Sequence, residues 1–332
     1  MTNGTAVGEE RVGAGVKIEL PPSIRANFAV IIPAYNEVEN VPALFAALRA
    51  TFQKHDLGGE IILVDDGSTD GTYDAALEET RTFPRARVLR HRRNLGKTEA
   101  MVTAADATES EYVILFDADL QHSTEEIPRF LEKLAEGWDV VTGRKVGRYE
   151  KRAVSSVYNL LSQRLFAVPV RDLNSMKAFR TEILQEIPLR HDWHRFFIVL
   201  AHDQGYSLSE IDIELFPRHA GVAKYSGRRR ILVGVGDLLV VWFYLKFSAK
   251  PMQFFGGGGL ILIALGIFVG FITILLRLTG AMPPFGYRPL LTFVLLLETV
   301  GFMLFGFGFI AELIATLRTE VEELRRRLRR EG

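Results

Sequence analysis

Phe116-Asp117-Ala118-Asp119-Leu120-Gln121 ends an apolar run, residues 112–116, in two carboxylates one residue apart. The run reads as a buried strand. Its carboxylates then fall at the carboxyl end, the edge at which open α/β sheets bind ligands. On extended backbone, side chains two residues apart point the same way, so two such carboxylates repel unless a cation or a proton lies between them. Hard oxygen donors of this kind suit Mg2+ or Mn2+. An isolated Asp-x-Asp also serves in solvated turns, and the sequence around it has to decide.

Three more strand–loop–helix units precede it. Residues 28–32 are a β-rich run stopped by Pro33, followed by the loop Ala34-Tyr35-Asn36-Glu37 and a helical pattern through Leu44, Leu48 and Phe52. Residues 61–64 lead into Asp65-Asp66-Gly67-Ser68-Thr69-Asp70-Gly71-Thr72, and a strand near residues 87–90 leads into Asn94-Leu95-Gly96-Lys97. Strands alternating with helices imply right-handed crossovers and an α/β fold with a doubly wound, mainly parallel sheet. All four polar loops then share one sheet edge. A further strand over residues 138–144 and helices over residues 155–166 and from Trp193 complete this half.

Familiar alternatives fail on particular residues. Gly96-Lys97-Thr98 lacks the first glycine of a P-loop, since position 91 is histidine, and the calcium-loop pattern from Asp66 meets Leu77 where a bidentate glutamate is required. No G-x-G-x-x-G follows any strand, so a Rossmann dinucleotide site has no support. The Asp65-Asp66 carboxylates can accept hydrogen bonds from base N–H and ribose hydroxyls, and Asp, Gly and Ser are equally ordinary turn residues.

Taken together, Ile32-Pro33-Ala34-Tyr35-Asn36-Glu37, the segment Val64 to Thr72, Asn94-Leu95-Gly96-Lys97 and Asp117-Ala118-Asp119-Leu120-Gln121-His122 resemble, in order and spacing, the family 2 glycosyltransferases of GT-A fold. More narrowly they look like dolichyl-phosphate mannose synthases and bacterial polyprenyl-phosphate glucosyltransferases. The resemblance covers residues 27–226. It implies inverting transfer of a hexose, glucose or mannose, from a UDP- or GDP-linked sugar to a polyprenyl or dolichyl phosphate. Pro33, Tyr35, Glu37, Asp65, Asp66, Lys97 and Asp117 match positions that hold the sugar nucleotide. Asp117, Asp119 and Gln121 match the holders of the divalent metal, Mg2+ or Mn2+, and Asp119 is thereby a catalytic position.

Arg144, Arg152 and Ser156 match positions near the leaving diphosphate and the acceptor phosphate, and Asp172 matches an aspartate near the reacting centre. Arg218 and Lys224 match a basic loop over the acceptor phosphate. His194 and Arg195 are weaker candidates, because a lone histidine is more often structural. The chain departs from the family pattern at His122, at residues 174–177 where a glycine is usual, and at Ala223 in place of a serine. A processive polysaccharide synthase is the competing enzyme, but its Gln-x-x-Arg-Trp motif is missing. The intact Asp117-Ala118-Asp119 argues against a non-catalytic membrane scaffold.

Composition bounds the rest. Forty basic residues balance forty acidic ones, which leaves no general argument for nucleic-acid binding, and the absence of cysteine excludes disulfides and thiolate chemistry. Residues 251–278 and 289–317 are each long and apolar enough to span a bilayer. Residues 227–250, opened by Arg228, Arg229 and Arg230, suit an interfacial helix. Residues 26–226 form the expected transferase domain, residues 1–25 a disordered tail without a signal-type apolar core, and residues 318–332 a charged helical tail. Basic residues crowd the outer flanks of the two spans, which predicts an integral membrane protein with its transferase domain in the cytoplasm. Leu317, Val321, Leu324 and Leu328 form a heptad-like stripe consistent with a homo-oligomer, and Glu298 inside the second span suggests helix–helix hydrogen bonding.

Overall fold

The structure is a computed structural model that describes residues 18–146, 164–187, 189–190, 193–220, 228–247, 250–280 and 288–331. It divides into two compact units, residues 1–235 and 236–332. The first is built on a seven-stranded sheet of order β3-β2-β1-β4-β6-β5-β7. The strands are β1 (Phe28–Ala34), β2 (Glu60–Asp65), β3 (Ala86–Arg90), β4 (Tyr112–Leu115), β5 (Val140–Val146), β6 (Lys177–Arg180) and β7 (Leu208–Glu214). β3, β2, β1 and β4 are parallel neighbours. β6 is inserted antiparallel between β4 and β5, and β7 closes the sheet parallel to β5.

The chain runs outward from β1 to β3 and then returns to β4 on the other flank of β1, so the sheet reverses its winding between β1 and β4. The carboxyl ends beside such a switch point form the natural ligand crevice of a doubly wound sheet. The mainly parallel sheet expected from the sequence is therefore present, with β6 as an antiparallel strand that the sequence pattern did not reveal.

Central strands β1, β2 and β4 are almost wholly buried, as their unbroken apolar runs require. The helices described in this unit before residue 228 are α1 (Pro22–Arg25), α2 (Val41–His55), α3 (Thr72–Thr80), α4 (Lys97–Asp106), α5 (Glu126–Ala135), α6 (Thr181–Glu186) and α7 (Phe197–Asp203), the last preceded by a 3-10 turn over Trp193–Phe196. α2 shows the logic. Pro42 sits in its first turn, Leu44, Phe45, Leu48 and Phe52 bury one face, and Asp56 ends it in the left-handed region at φ 52°. Phe52 stacks on Phe28 and edge-on to Phe83, tying the helix to β1 and to the approach to β3. Each such buried ring contributes roughly 1.5–3 kcal/mol of hydrophobic stabilisation.

One boundary needs correction. Residues 18–25 are no free tail: Leu20 and Ile24 are buried in the main core, and the Ile18 N–H donates to His55 Nδ1. Two apolar side chains within a polar segment are too few to register as a periodic pattern. The helix expected over residues 155–166 lies largely outside the described residues.

The second unit contains most of α8 (Arg228–Phe247), then α9 (Pro251–Leu278) and α10 (Arg288–Glu331). α9, and α10 as far as Val321, are long and apolar enough to cross a membrane, and only 17% and 11% of their most apolar windows are buried. A helix of a soluble core would hide its apolar surface, so these helices have the composition of a membrane protein. They pack backbone to backbone, and a Cβ on Gly259 would lie 2.6 Å from the Gly301 carbonyl. Glu298 lies against Gly266, which leaves room for its carboxyl group, and Glu312 caps α9 by accepting the Met252 N–H at 3.1 Å. The span and tail expected as separate pieces from residue 289 onward form one continuous helix, α10.

Candidate active site

Two loops flank the crevice between β1 and β4, and both use a rare backbone. Asn36 and Leu120 adopt φ of 53° and 54°, a left-handed conformation that costs a side-chain-bearing residue about 1 kcal/mol and must be held by its surroundings. The loop after β1 is held by the loop after β2: Ser68 Oγ accepts the Asn36 N–H, Thr72 Oγ1 accepts that of Glu37, and Asn36 Oδ1 accepts that of Thr69, at 2.8–2.9 Å. The loop after β4 is held by the segment after β7. There the Phe216 N–H donates to the Gln121 carbonyl at 2.8 Å, and the His219 N–H reaches the Asp119 carbonyl at 3.4 Å.

Asp119 is nearly buried, at 8% exposure. Its Oδ1 accepts the Gln121 N–H, and its Oδ2 lies 3.0 Å from Arg218. Burial and the charge of Asp117 push its carboxyl above the usual range, against the pull of Gln121 N–H and Arg218. Asp117 behaves in the opposite way. Burial disfavours its charge, but the Lys97 ammonium in contact with it wins and holds the carboxyl well below the usual range. Two neighbouring carboxylates pushed in opposite directions, each with a cation attached, mark a place built for positive charge.

The donor set passes a chemical test for Mg2+ or Mn2+. Asp117 and Asp119 supply hard oxygens, and the carboxylate whose charge the fold disfavours is already met by a guanidinium. Among the described residues no three His, Asp or Glu side chains converge as a finished cage. This suits an ion that takes its other ligands from a diphosphate and water.

Asp65, fully buried at the end of β2, accepts the Ser68 N–H and pairs with Arg90, whose guanidinium lies over the Tyr73 ring. Asp66 holds the β3–α4 loop: its oxygens accept the Leu95 and Gly96 N–H groups and a contact from His91, all at 2.8 Å. Gly67 between this pair and Ser68 has φ 73°, and a Cβ there would come 2.5 Å from the Arg93 backbone. Asp66→Ala leaves two inward N–H groups without their acceptor, so it is expected to destabilise the protein by about 3 kcal/mol, read as a lower urea midpoint at unchanged slope.

Asp172, 3% exposed, is embedded in a lattice of its own. Its N–H donates to Glu210, its carbonyl accepts from Thr142, its Oδ1 accepts the Asn174 N–H, and its Oδ2 lies 3.5 Å from Lys145 Nζ. Arg144 is placed elsewhere. It forms a two-point ion pair with Asp212 of β7, at 2.5 and 2.6 Å, and makes no ion pair with Asp117 or Asp119. β5 lies two strands along from β4. Arg152, Ser156 and Lys224 lie outside the described residues.

Three further residues act on the cluster: His122 and His194, both noted in the sequence, and Lys177, to which the sequence assigned no role. His122 is 5% exposed with an unpartnered Nδ1, and burial pushes it down to about 4 despite Asp117. His194, held to Thr98 at 3.1 Å, is likewise lowered by burial and by Lys97, so the fold favours the neutral form of both imidazoles. Lys177, on β6, is 2% exposed, and burial with Lys97 pushes it down to about 7. A lysine within the buried run Met176-Lys177-Ala178-Phe179 was the available signal.

A profile of the family described as Glycosyl transferase family 2 matches residues 29–200, from β1 through most of α7. The chain belongs to that family. This glycosyltransferase is 30% identical over 300 residues, 88% of its chain and 90% of the relative, to the undecaprenyl-phosphate 4-deoxy-4-formamido-L-arabinose transferase of Serratia proteamaculans. It is equally similar, at 30% over 300 residues and 86% and 87% of the two chains, to the dodecaprenyl-phosphate galacturonate synthase of Rhizobium johnstonii. Among solved structures, glucosyl-3-phosphoglycerate synthase from Mycobacterium tuberculosis, in complex with Mn2+, UDP and glucosyl-3-phosphoglycerate, matches at TM-score 0.53 and 18% identity, over 66% of this chain and 80% of that one. The glycosyltransferase has the GT-A fold that its motifs resemble.

Proposed function

We propose that this glycosyltransferase moves a hexose, with inversion, from a nucleoside diphosphate sugar to the phosphate of a membrane polyprenol. The observation that carries the reading is the pairing of Arg218 with Asp119 at the switch point. It puts a cation, suited to an acceptor phosphate, beside the carboxylates suited to a diphosphate-bound metal. The names of the two relatives, both prenyl-phosphate sugar enzymes similar along most of their length, support the same acceptor class.

In this reading Pro33, Tyr35, Glu37 and Asp65 line the nucleoside side, while Asp66 shapes the loop that carries Lys97. Asp117, Asp119 and Gln121 hold Mg2+ or Mn2+, and Lys97 adds charge beside Asp117. The bound ion supplies charge neutralisation for the departing diphosphate. An acceptor phosphate oxygen attacks the anomeric carbon, the bond from that carbon to the diphosphate oxygen breaks, and the nucleoside diphosphate leaves. A phosphate monoester is already anionic at pH 7 and needs placement and screening rather than a general base. Arg218, Lys224, Arg152 and Ser156 provide these, and Asp172, fixed by Glu210 and Lys145, orients the attack.

The transferase unit lies on the cytoplasmic side, because the basic residues at both outer flanks of the apolar pair resist translocation. The leucine stripe at the end of α10 supports a homo-oligomer. The test is direct. Full-length protein with Mg2+ or Mn2+ and a short-chain polyprenyl phosphate is offered UDP-glucose, GDP-mannose, UDP-N-acetylglucosamine and UDP-galacturonate in parallel, with products read by mass. A polyprenyl-phosphate hexose is the expected product, and failure of all four donors would remove the hexose reading.

A further inference from the structure

Lys177 is the one lysine among the largest fully buried side chains described, and it begins β6, the antiparallel strand inserted between β4 and β5. Its register partners are Leu115, two residues before Asp117, and Thr142, whose hydroxyl donates to the Asp172 carbonyl. Its Nζ donates to the Leu173 carbonyl at 3.3 Å, inside the turn that Asp172 begins. Lys145 grips the next carbonyl, Asn174, at 2.6 Å. Lys97, Asp117, Asp172 and Lys145 all act electrostatically on Lys177.

Among the described residues the amine has one carbonyl partner; burying it so is unfavourable, and an apolar side chain of the same length would fill the space without that penalty. A residue kept against its own folding energetics at the junction of two site loops is best explained by what it holds. We propose that Lys177 is a positioning residue, which clamps the Leu173 carbonyl so that the Asp172 carboxylate keeps its place beside the carboxyl end of β4. The role rests on the transferase reading above, and the clamp itself is a property of the fold.

Lys177→Met keeps the length and the apolar stem and removes the donor. In full-length protein, with the donor sugar that performs best in the parallel assay, kcat should fall roughly ten- to a hundredfold, as is usual for groups that orient a reacting residue. The donor KM should stay within about twofold. Amide exchange over residues 170–176 should quicken, while the thermal midpoint stays level or rises. Lys177→Gln, which retains an N–H donor, should recover part of the rate. Unchanged kcat, unchanged exchange, a glutamine variant no better than methionine, or a rate loss that merely follows a lowered thermal midpoint would each overturn the proposal. Exchange needs no substrate, so a parent protein inactive on every donor would count against the transferase reading and leave the exchange result to decide the clamp.

Discussion

Asp119→Asn transfers sugar on the order of 10²–10³-fold more slowly than the parent and keeps its fold. The amide has the shape of the carboxylate and still accepts the Gln121 N–H, but it no longer offers an anionic oxygen to a divalent ion or to Arg218. Stability should move the other way. Burial and Asp117 raise the Asp119 carboxyl, and an acid with a raised folded value is most favourable when protonated, so its contribution is lost as pH rises through that value. At pH 7, without metal, the asparagine variant should therefore melt at the same temperature as the parent or higher. The difference should close as pH falls toward the ordinary carboxylate range. Calorimetric titration of Mn2+ in the presence of UDP checks the binding half of the claim. Parent-level turnover by the variant with Mg2+ present would remove the metal assignment.

Arg218→Ala lowers acceptor-limited turnover roughly ten- to a hundredfold, the equivalent of one charge-assisted contact of about 1.5–3 kcal/mol. Donor binding should hold or tighten. The guanidinium that lies 3.0 Å from Asp119 competes with a metal for the same oxygen, and its removal frees that oxygen. Arg218 is one-third exposed, so the ion pair itself adds little to stability, and the thermal midpoint should barely change. Lys224→Ala should weaken transfer in the same direction. Both variants are measured for donor affinity by calorimetry and for rate across a range of polyprenyl phosphate concentrations. Equal loss of donor binding, or efficient transfer to a polyprenol without phosphate, would place the acceptor elsewhere.

The Asp117–Asp119 pair, the Asp65-Asp66 turn and the two apolar helices were legible because each is a local statement. Strand periodicity, a carboxylate pair at spacing two and an apolar run of more than 20 residues require no knowledge of distant contacts. The mainly parallel sheet followed from the alternation of strands and helices. Arg144 shows where such reasoning stops. Its place in a strand was foreseen, but only the parallel pairing of β5 with β7 brings Asp212 beside it and takes up its guanidinium.

By itself, then, the sequence determined the chemistry available at one edge of an α/β sheet: paired carboxylates, a neighbouring lysine and basic loops, followed by apolar helices. The tertiary structure alone decided which charges meet. β6 is short and enters antiparallel, so no crossover pattern announces it, yet it carries Lys177 in beneath the turn of Asp172. The Arg218–Asp119 pair joins residues 99 positions apart in sequence, a contact made by the segment after β7 folding back onto the loop after β4. Burial then sets the electrostatics. The same residue types in solvent would titrate normally, whereas here desolvation disfavours the charged forms of His122, His194 and Asp119, because a low-dielectric interior penalises charge.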